Sequence, residues 1–158
     1  MTTATAFIVE PATQDVVLTR VFDAPREAVF AAMTDPDAIP KWWGPRDEMA
    51  TIESMDVRPG GYWRFVSRDS QGNEYAFHGY YHEVLAPERL VYTFEYEGTP
   101  GHVVLETITL EDLGGRTRVT DRSVFQTVED RDAMVRSGME SGATESMERL
   151  AELLSTRS

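Results

Sequence analysis

The chain of 158 residues contains no cysteine. That excludes disulfides and thiol nucleophiles and makes a cytoplasmic setting the expectation. Basic residues are scarce: 15 Lys and Arg stand against 27 Asp and Glu, a formal net charge of −12. Binding to phosphate backbones or anionic headgroups depends on Lys and Arg displacing counterions, so neither nucleic acid nor a membrane surface is an expected partner. The acidity reads as a solubility feature. No stretch approaches the roughly 20 uncharged apolar residues of a membrane span. The opening, MTTATAFIVEPATQ, lacks the basic and long apolar regions of a signal peptide. There is no G-x-G-x-x-G and no Walker loop. The segment Gly138-Met-Glu-Ser141-Gly departs from G-x-S-x-G and falls in a helical stretch instead of following a strand. His78 and His82, four apart on a strand, are separated by about 13 Å, too far to share an ion. With His102 the only other histidine, no metal and no cofactor are expected.

What is present suits one packed domain: 41% hydrophobic and 27% charged residues lie near globular averages. Residues 1–14 read as a flexible arm or an edge segment, and 15–156 as a single domain. Asp15–Phe22 has strand composition. Asp23 and Pro25 are placed to start a helix carrying Ala28, Val29, Ala32 and Met33 on one stripe. Asp35 and Pro36 start a second, short helix that Gly44-Pro45 ends. From Met49 to Phe125 the pattern is strand and turn, with segments at 49–57, 62–67, 74–85, 90–96, 103–110 and 117–125. Short turns between successive strands favour an antiparallel meander. Thr127-Val-Glu-Asp130 resembles a capping box. Beyond it Met139, Ala143, Met147, Leu150 and Leu154 recur at helical spacing, predicting one long amphipathic helix over 129–154 with a Glu145–Arg149 pair on its surface. The expected class is α+β: a curved antiparallel sheet of about six to seven strands, packed on one face by helices.

Several runs resemble the activator-of-Hsp90-ATPase-like group of the START/Bet v 1-like (SRPBCC) superfamily: VFDAPREAVFAAMTDPDAIPKWWGP, PGGYWRF, APERLVYTFEY, GGRTRVT and GMESGATESMERLAELL. Together they span roughly residues 15 to 155. The resemblance implies a helix-grip fold, a curved sheet around a long C-terminal helix. It also implies a choice of activities, because the superfamily holds lipid and polyketide binders, cyclases and hydrolases, and co-chaperone domains. Related sequences often carry Trp where Ala143 stands, which implies a larger cavity or a different gate here.

Candidate ligand-binding residues follow from residue chemistry. Met33, Met134, Met139 and Met147 fall on helices expected to face the sheet, either as core filler or as an adaptable cavity wall. Gly138 and Gly142 lie four apart inside the expected long helix, where each costs about 1 kcal/mol against Ala; close packing, a bend or cavity space would offset that. Trp42 and Trp43 either anchor the second helix or line a portal. Tyr62, Trp63, Tyr80, Tyr81, Tyr92 and Tyr96 add phenols and indoles from strands, and Phe94 shares a strand face with Tyr92. If Val119 and Phe125 face the interior, Asp121 and Ser123 do so by alternation, with Glu106 on the neighbouring strand. A carboxylate there could act as acid or base, or pair with Arg122 across the hairpin. His78 completes the set. The expected function is binding of a small hydrophobic or amphipathic molecule between sheet and helix, by a monomer or homodimer. Alternatives are association with an Hsp90-type chaperone, and a cyclase- or hydrolase-like enzyme using Glu106, Asp121 or a pocket histidine.

Overall fold

The structure, a computed structural model, describes residues 4–156. Its elements are β1 (Ala6–Ile8), β2 (Asp15–Phe22), α1 (Arg26–Thr34), α2 (Ile39–Trp42), β3 (Met49–Met55), β4 (Tyr62–Arg68), β5 (Glu74–Leu85), β6 (Arg89–Tyr96), β7 (Val103–Asp112), β8 (Thr117–Val124), α3 (Val128–Arg136) and α4 (Met139–Ser155). All eight strands join one antiparallel sheet in the order β1-β2-β8-β7-β6-β5-β4-β3. After β2 the chain crosses to the far edge through α1 and α2, then meanders back strand by strand until β8 pairs with β2. The class is α+β with a helix-grip arrangement, and the extra strand over the expected count is β1, within the segment read as an arm or edge. Among the described residues, no helix is long and apolar enough to cross a membrane.

Irregularities between Ile52 and Ser54 and between Tyr81 and Glu83 interrupt the ladder, and such bulges bend and twist a sheet. Gly79 permits a close approach in the same region: an added Cβ would lie 1.8 Å from the Thr93 carbonyl oxygen. The concave face follows strand alternation, with Val16 and Leu18 on β2, Val104 and Ile108 on β7, and Val119 on β8 all buried. One end of that face is filled by Phe22, Val29, Leu110, Leu150 and Leu154, which pack in one buried cluster. A smaller cluster of Val16, Val104 and Phe125 packs with Phe7, Met134 and Val135. Buried Arg131 ties the N-terminal segment to it, donating to the carbonyls of Glu10 and Asp15 and to Thr13 Oγ1 at 2.9–3.1 Å.

Four local expectations are corrected. The helix expected over 129–154 is two helices, because Gly138 adopts φ 100° and breaks it between α3 and α4. Periodicity continues across such a break and cannot reveal it, whereas glycine in the left-handed region is the ordinary helix terminator. Asp23 does not cap α1: Pro25 occupies the N-cap position without a side-chain hydrogen bond, and the exposed Asp23 lies 4.0 Å from Arg116. Glu145 and Arg149 do not pair, since Glu145 accepts from the Arg46 backbone N–H and Arg149 turns to backbone carbonyls. Thr127 does cap α3, accepting from the Asp130 N–H at 3.0 Å, but the Asp130 carboxylate faces His102 in place of closing the box.

The two helical glycines should therefore respond oppositely to substitution. Gly138→Ala places a Cβ in the left-handed region and is expected to destabilise by about 1–2 kcal/mol. Gly142→Ala meets nothing nearer than Pro45 Cγ at 4.0 Å and is expected to stabilise by up to about 1 kcal/mol. Urea denaturation of the two variants checks both signs.

Candidate functional site

The composition of α4 explains why the interior is not filled. Its C-terminal half sends Leu150 and Leu154 into the sheet, both almost wholly buried. Its N-terminal half presents Gly142, Ala143 and Ser146 over the same face, and these leave a partly open cavity of about 340 Å³. Ligand sites run from about 300 to 1,000 Å³, so this one is small but sufficient. Met139 and Met147 form its roof from α4, and Met33 closes it from α1.

Its aromatic wall is fixed by specific contacts. Trp42 Nε1 donates to the Ala32 carbonyl at 3.0 Å, locking α2 to α1 while the indole lines the cavity. Trp43 stands edge-on to Phe65 and Phe77, each at 5.3 Å between ring centroids. Trp63 Nε1 donates to the Thr93 carbonyl at 3.1 Å, an approach that Gly79 allows. Phe94 and Tyr92 stand at 5.9 and 6.0 Å from Trp63.

The roof is tied to this wall by hydrogen bonds. Ser146 Oγ donates to the Trp42 carbonyl at 3.1 Å and accepts from the Gly44 N–H at 3.3 Å. Arg149 donates to the carbonyls of Trp43, Gly44 and Pro45 through Nη1 and of Pro40 through Nη2, at 2.9–3.3 Å. These carbonyls lie at the end of α2, where a helix leaves acceptors unpaired.

The polar part of the cavity lies on its floor. Antiparallel register sets Ser123 opposite Glu106, and Asp121 opposite both Ile108 and Leu18. Ser123 Oγ donates to Glu106 Oε2 at 2.8 Å, and Glu106 is 7% exposed. The Glu106 and Asp121 carboxyls are within hydrogen-bonding reach of one another. Asp121 Oδ1 is occluded and has no hydrogen-bond partner. Burial pushes the Glu106 carboxyl well above the usual carboxylate range, and the neighbouring Asp121 raises it further. Burial raises Asp121 as well, offset in part by its hydrogen bond with Glu106. Two carboxyls buried this close together resist double ionisation, so the pair retains a proton more readily than an isolated carboxyl. Burial, and then the charges of Glu106 and Asp121, push up the Tyr92 hydroxyl from β6. Near the rim Glu48 accepts from Ser67 Oγ at 2.6 Å. Arg122 is turned outward to Asp15 at 3.2 Å, so the expected alternative of an ion pair across the hairpin is not formed.

Of the residues expected to bind ligand, five do not line the cavity: His78, Tyr80 and Met134, together with the strand phenols Tyr62 and Tyr96. His78 lies on the outer face of β5, where its Nδ1 meets Glu97 Oε2 at 2.7 Å and its Nε2 meets Glu95 at 3.4 Å. Arg64 donates twice to the same Glu97 and, with His78, holds that carboxyl down to about 2. Tyr80 is on that outer face too, half exposed and 5.3 Å from the Tyr62 ring. Met134 packs in the smaller cluster under α3. The others all line the cavity. Among residues not singled out as binders, Phe65, Phe77 and Leu18 line it. Strand parity identifies them once Trp63 is placed inward, because Phe65 shares its face and Phe77 pairs with Phe65. His82 is exposed and His102 binds Asp130, so no histidine enters the cavity. Among the described residues no cluster of His, Asp and Glu could hold a metal ion.

A curved sheet gripping a C-terminal helix around an apolar cavity defines a helix-grip, Bet v 1-like domain. The chain belongs to the family of Activator of Hsp90 ATPase homolog 1-like proteins, whose family model matches residues 23–155. Solved structures of similar form include a protein from Arthrobacter aurescens, 27% identical over 96% of this chain and 91% of its own, with a TM-score of 0.89. Another is protein CV1439 from Chromobacterium violaceum, 29% identical over 89% of this chain and 96% of its own, TM-score 0.78. Protein Ms6760 from Mycobacterium smegmatis, at 23% identity and a TM-score of 0.87 over 97% of both chains, shares the fold. No curated protein sequence matches the chain.

The carboxyl pair has a consequence for stability. A carboxyl raised by folding contributes fully below its unfolded value of about 4.3 and loses that contribution as pH rises through the folded value. Glu106→Gln removes the loss. The variant's Tm is therefore expected to gain on the parent's as pH goes from 5 to 8, read by thermal denaturation across that range; a pH-independent difference would contradict the assignment.

Proposed function

We propose that the protein is a cytoplasmic carrier or receptor that holds a small, predominantly apolar molecule between the concave sheet face and α4. The observation that carries this reading is the cavity of about 340 Å³ under Gly142, Ala143 and Ser146, in a domain whose opposite end is filled by one buried cluster. Aromatic and methionine walls suit an apolar body of variable shape, and the Glu106–Asp121–Ser123 group gives its polar end a place to dock. The same carboxyl pair could move a proton on a bound molecule, which would make the protein an enzyme of cyclase or hydrolase type; recovery of the bound molecule chemically unchanged argues against that version.

The family match favours a second partner, an Hsp90-type chaperone. Such contact would use the surface and not the cavity, so the two readings separate experimentally. Ala143→Trp fills the cavity from α4. It is expected to abolish co-purification of a small molecule in native mass spectrometry while leaving the circular dichroism spectrum unchanged. Stimulation of a bacterial Hsp90-type ATPase, if present, should survive that substitution. A native spectrum with no adduct, combined with no uptake of apolar probes by the parent protein, would overturn the binding reading.

A further inference from the structure

The cavity's charge is one-sided. Among the described residues, Glu48, Glu106 and Asp121 line it, and no Lys, Arg or His does. Neither Glu106 nor Asp121 belongs to any ion pair among the described residues. The basic side chain nearest in register on the concave face is Arg20 of β2, and it is directed elsewhere: Nη1 donates to Thr5 Oγ1 at 3.0 Å and the guanidinium lies 5.6 Å from the Phe22 ring centre. The other titratable groups facing the pair are the hydroxyls of Tyr92 and Tyr81, from β6 and β5; from α4 it faces Met139, Ala143 and Met147, none of them charged.

An uncompensated carboxylate in apolar surroundings is strongly unfavourable unless it gains a proton or a counter-cation. The protein supplies neither cation nor enough donors: Ser123 satisfies Glu106 Oε2, while Asp121 Oδ1 is buried and empty-handed. The surrounding rings add to the same preference. Trp63, Tyr92 and Phe94 line the same cavity as the acids, and aromatic rings attract a cation over their faces. A ligand carboxylate would instead bring a further negative charge into contact with two acids.

We propose that the ligand is a lipophilic amine, with its protonated nitrogen at the Glu106 and Asp121 carboxyls and its hydrocarbon or aromatic body among the cavity rings, and that fatty acids and other apolar carboxylates are excluded. This rests on the binding function proposed above and narrows its substrate class. The ammonium takes the place of a proton that burial favours on the pair, so that the pair ionises as the cation enters and that proton leaves to solvent.

The test uses three eight-carbon probes that differ only in the head: octylamine, 1-octanol and octanoate, titrated into the full chain at pH 7.5 and read by the fluorescence of the cavity tryptophans and by calorimetry. Octylamine is expected to bind at least about tenfold more tightly than octanol, the difference a charge-assisted hydrogen bond supplies, and octanoate not at all. Calorimetry in buffers of different ionisation enthalpy should show proton release with the amine alone. In the double variant Glu106→Gln/Asp121→Asn the amine should lose its advantage while octanol binding persists. Octanol equal to octylamine, binding of octanoate, or an amine preference that survives the double variant overturns the inference and leaves the cavity reading standing. Failure of all three probes overturns both.

Discussion

Arg149 ties three parts of the structure together through the backbone, and the cavity depends on that connection. Its guanidinium collects carbonyls from Pro40, Trp43, Gly44 and Pro45, acceptors that the short helix α2 and the segment after it cannot satisfy themselves. Ser146, one turn earlier on the same helix, bonds to both Trp42 and Gly44. With these bonds made, α4 is held against α2, Trp42 and Trp43 are held in the wall, and the space between helix and sheet has a definite height. Because the guanidinium is planar and offers several donors in fixed directions, one side chain sets the position of a segment that otherwise has little regular structure.

The cavity is a consequence of uneven covering. An eight-stranded curved sheet exposes more concave surface than a helix of α4's length can fill, and the sequence of α4 decides where the deficit falls. Bulky leucines at the C-terminal end close one half against Phe22, Val29 and Leu110. Small residues at the N-terminal end leave the other half open beside the acids of β7 and β8. Hydrophobic burial thus stabilises the domain at one end and leaves the other available, so that binding space and core are separate in location though continuous in structure.

Much of this was legible in the residues and some was not. The strand limits, the inward face of Leu90, Tyr92 and Phe94, and the inward direction of Asp121 and Ser123 follow from period-two alternation, and the helices follow from period 3.6. Alternation failed on β5, where EYAFHGYYHEVL carries aromatic or amphipathic groups on both faces, so His78 and Tyr80 could not be told from their inward neighbours Phe77 and Tyr81. Outward aromatics on that strand are accounted for by packing and ion pairing on the sheet's convex side, including Arg64 with Glu97. The break at Gly138 was hidden because hydrophobic spacing persists through a single left-handed residue. Arg149's role was hidden for a different reason: its partners are backbone carbonyls more than a hundred residues away, and backbone acceptors leave no mark in side-chain pattern.

The floor and the roof of the cavity differ in kind. Glu106, Asp121 and Ser123 sit on two central strands whose registers are fixed by hydrogen bonds on both sides, so a change there disturbs charge without altering shape. The roof is one helix face with methionine, alanine and glycine, adjoining a break at Gly138, and a change there alters shape without touching charge. The two determinants of recognition are thereby heritable separately: mutations in about two turns of α4 could retune which body sizes are accepted across a lineage, while the preference for a head group, anchored in the sheet, is passed on unchanged.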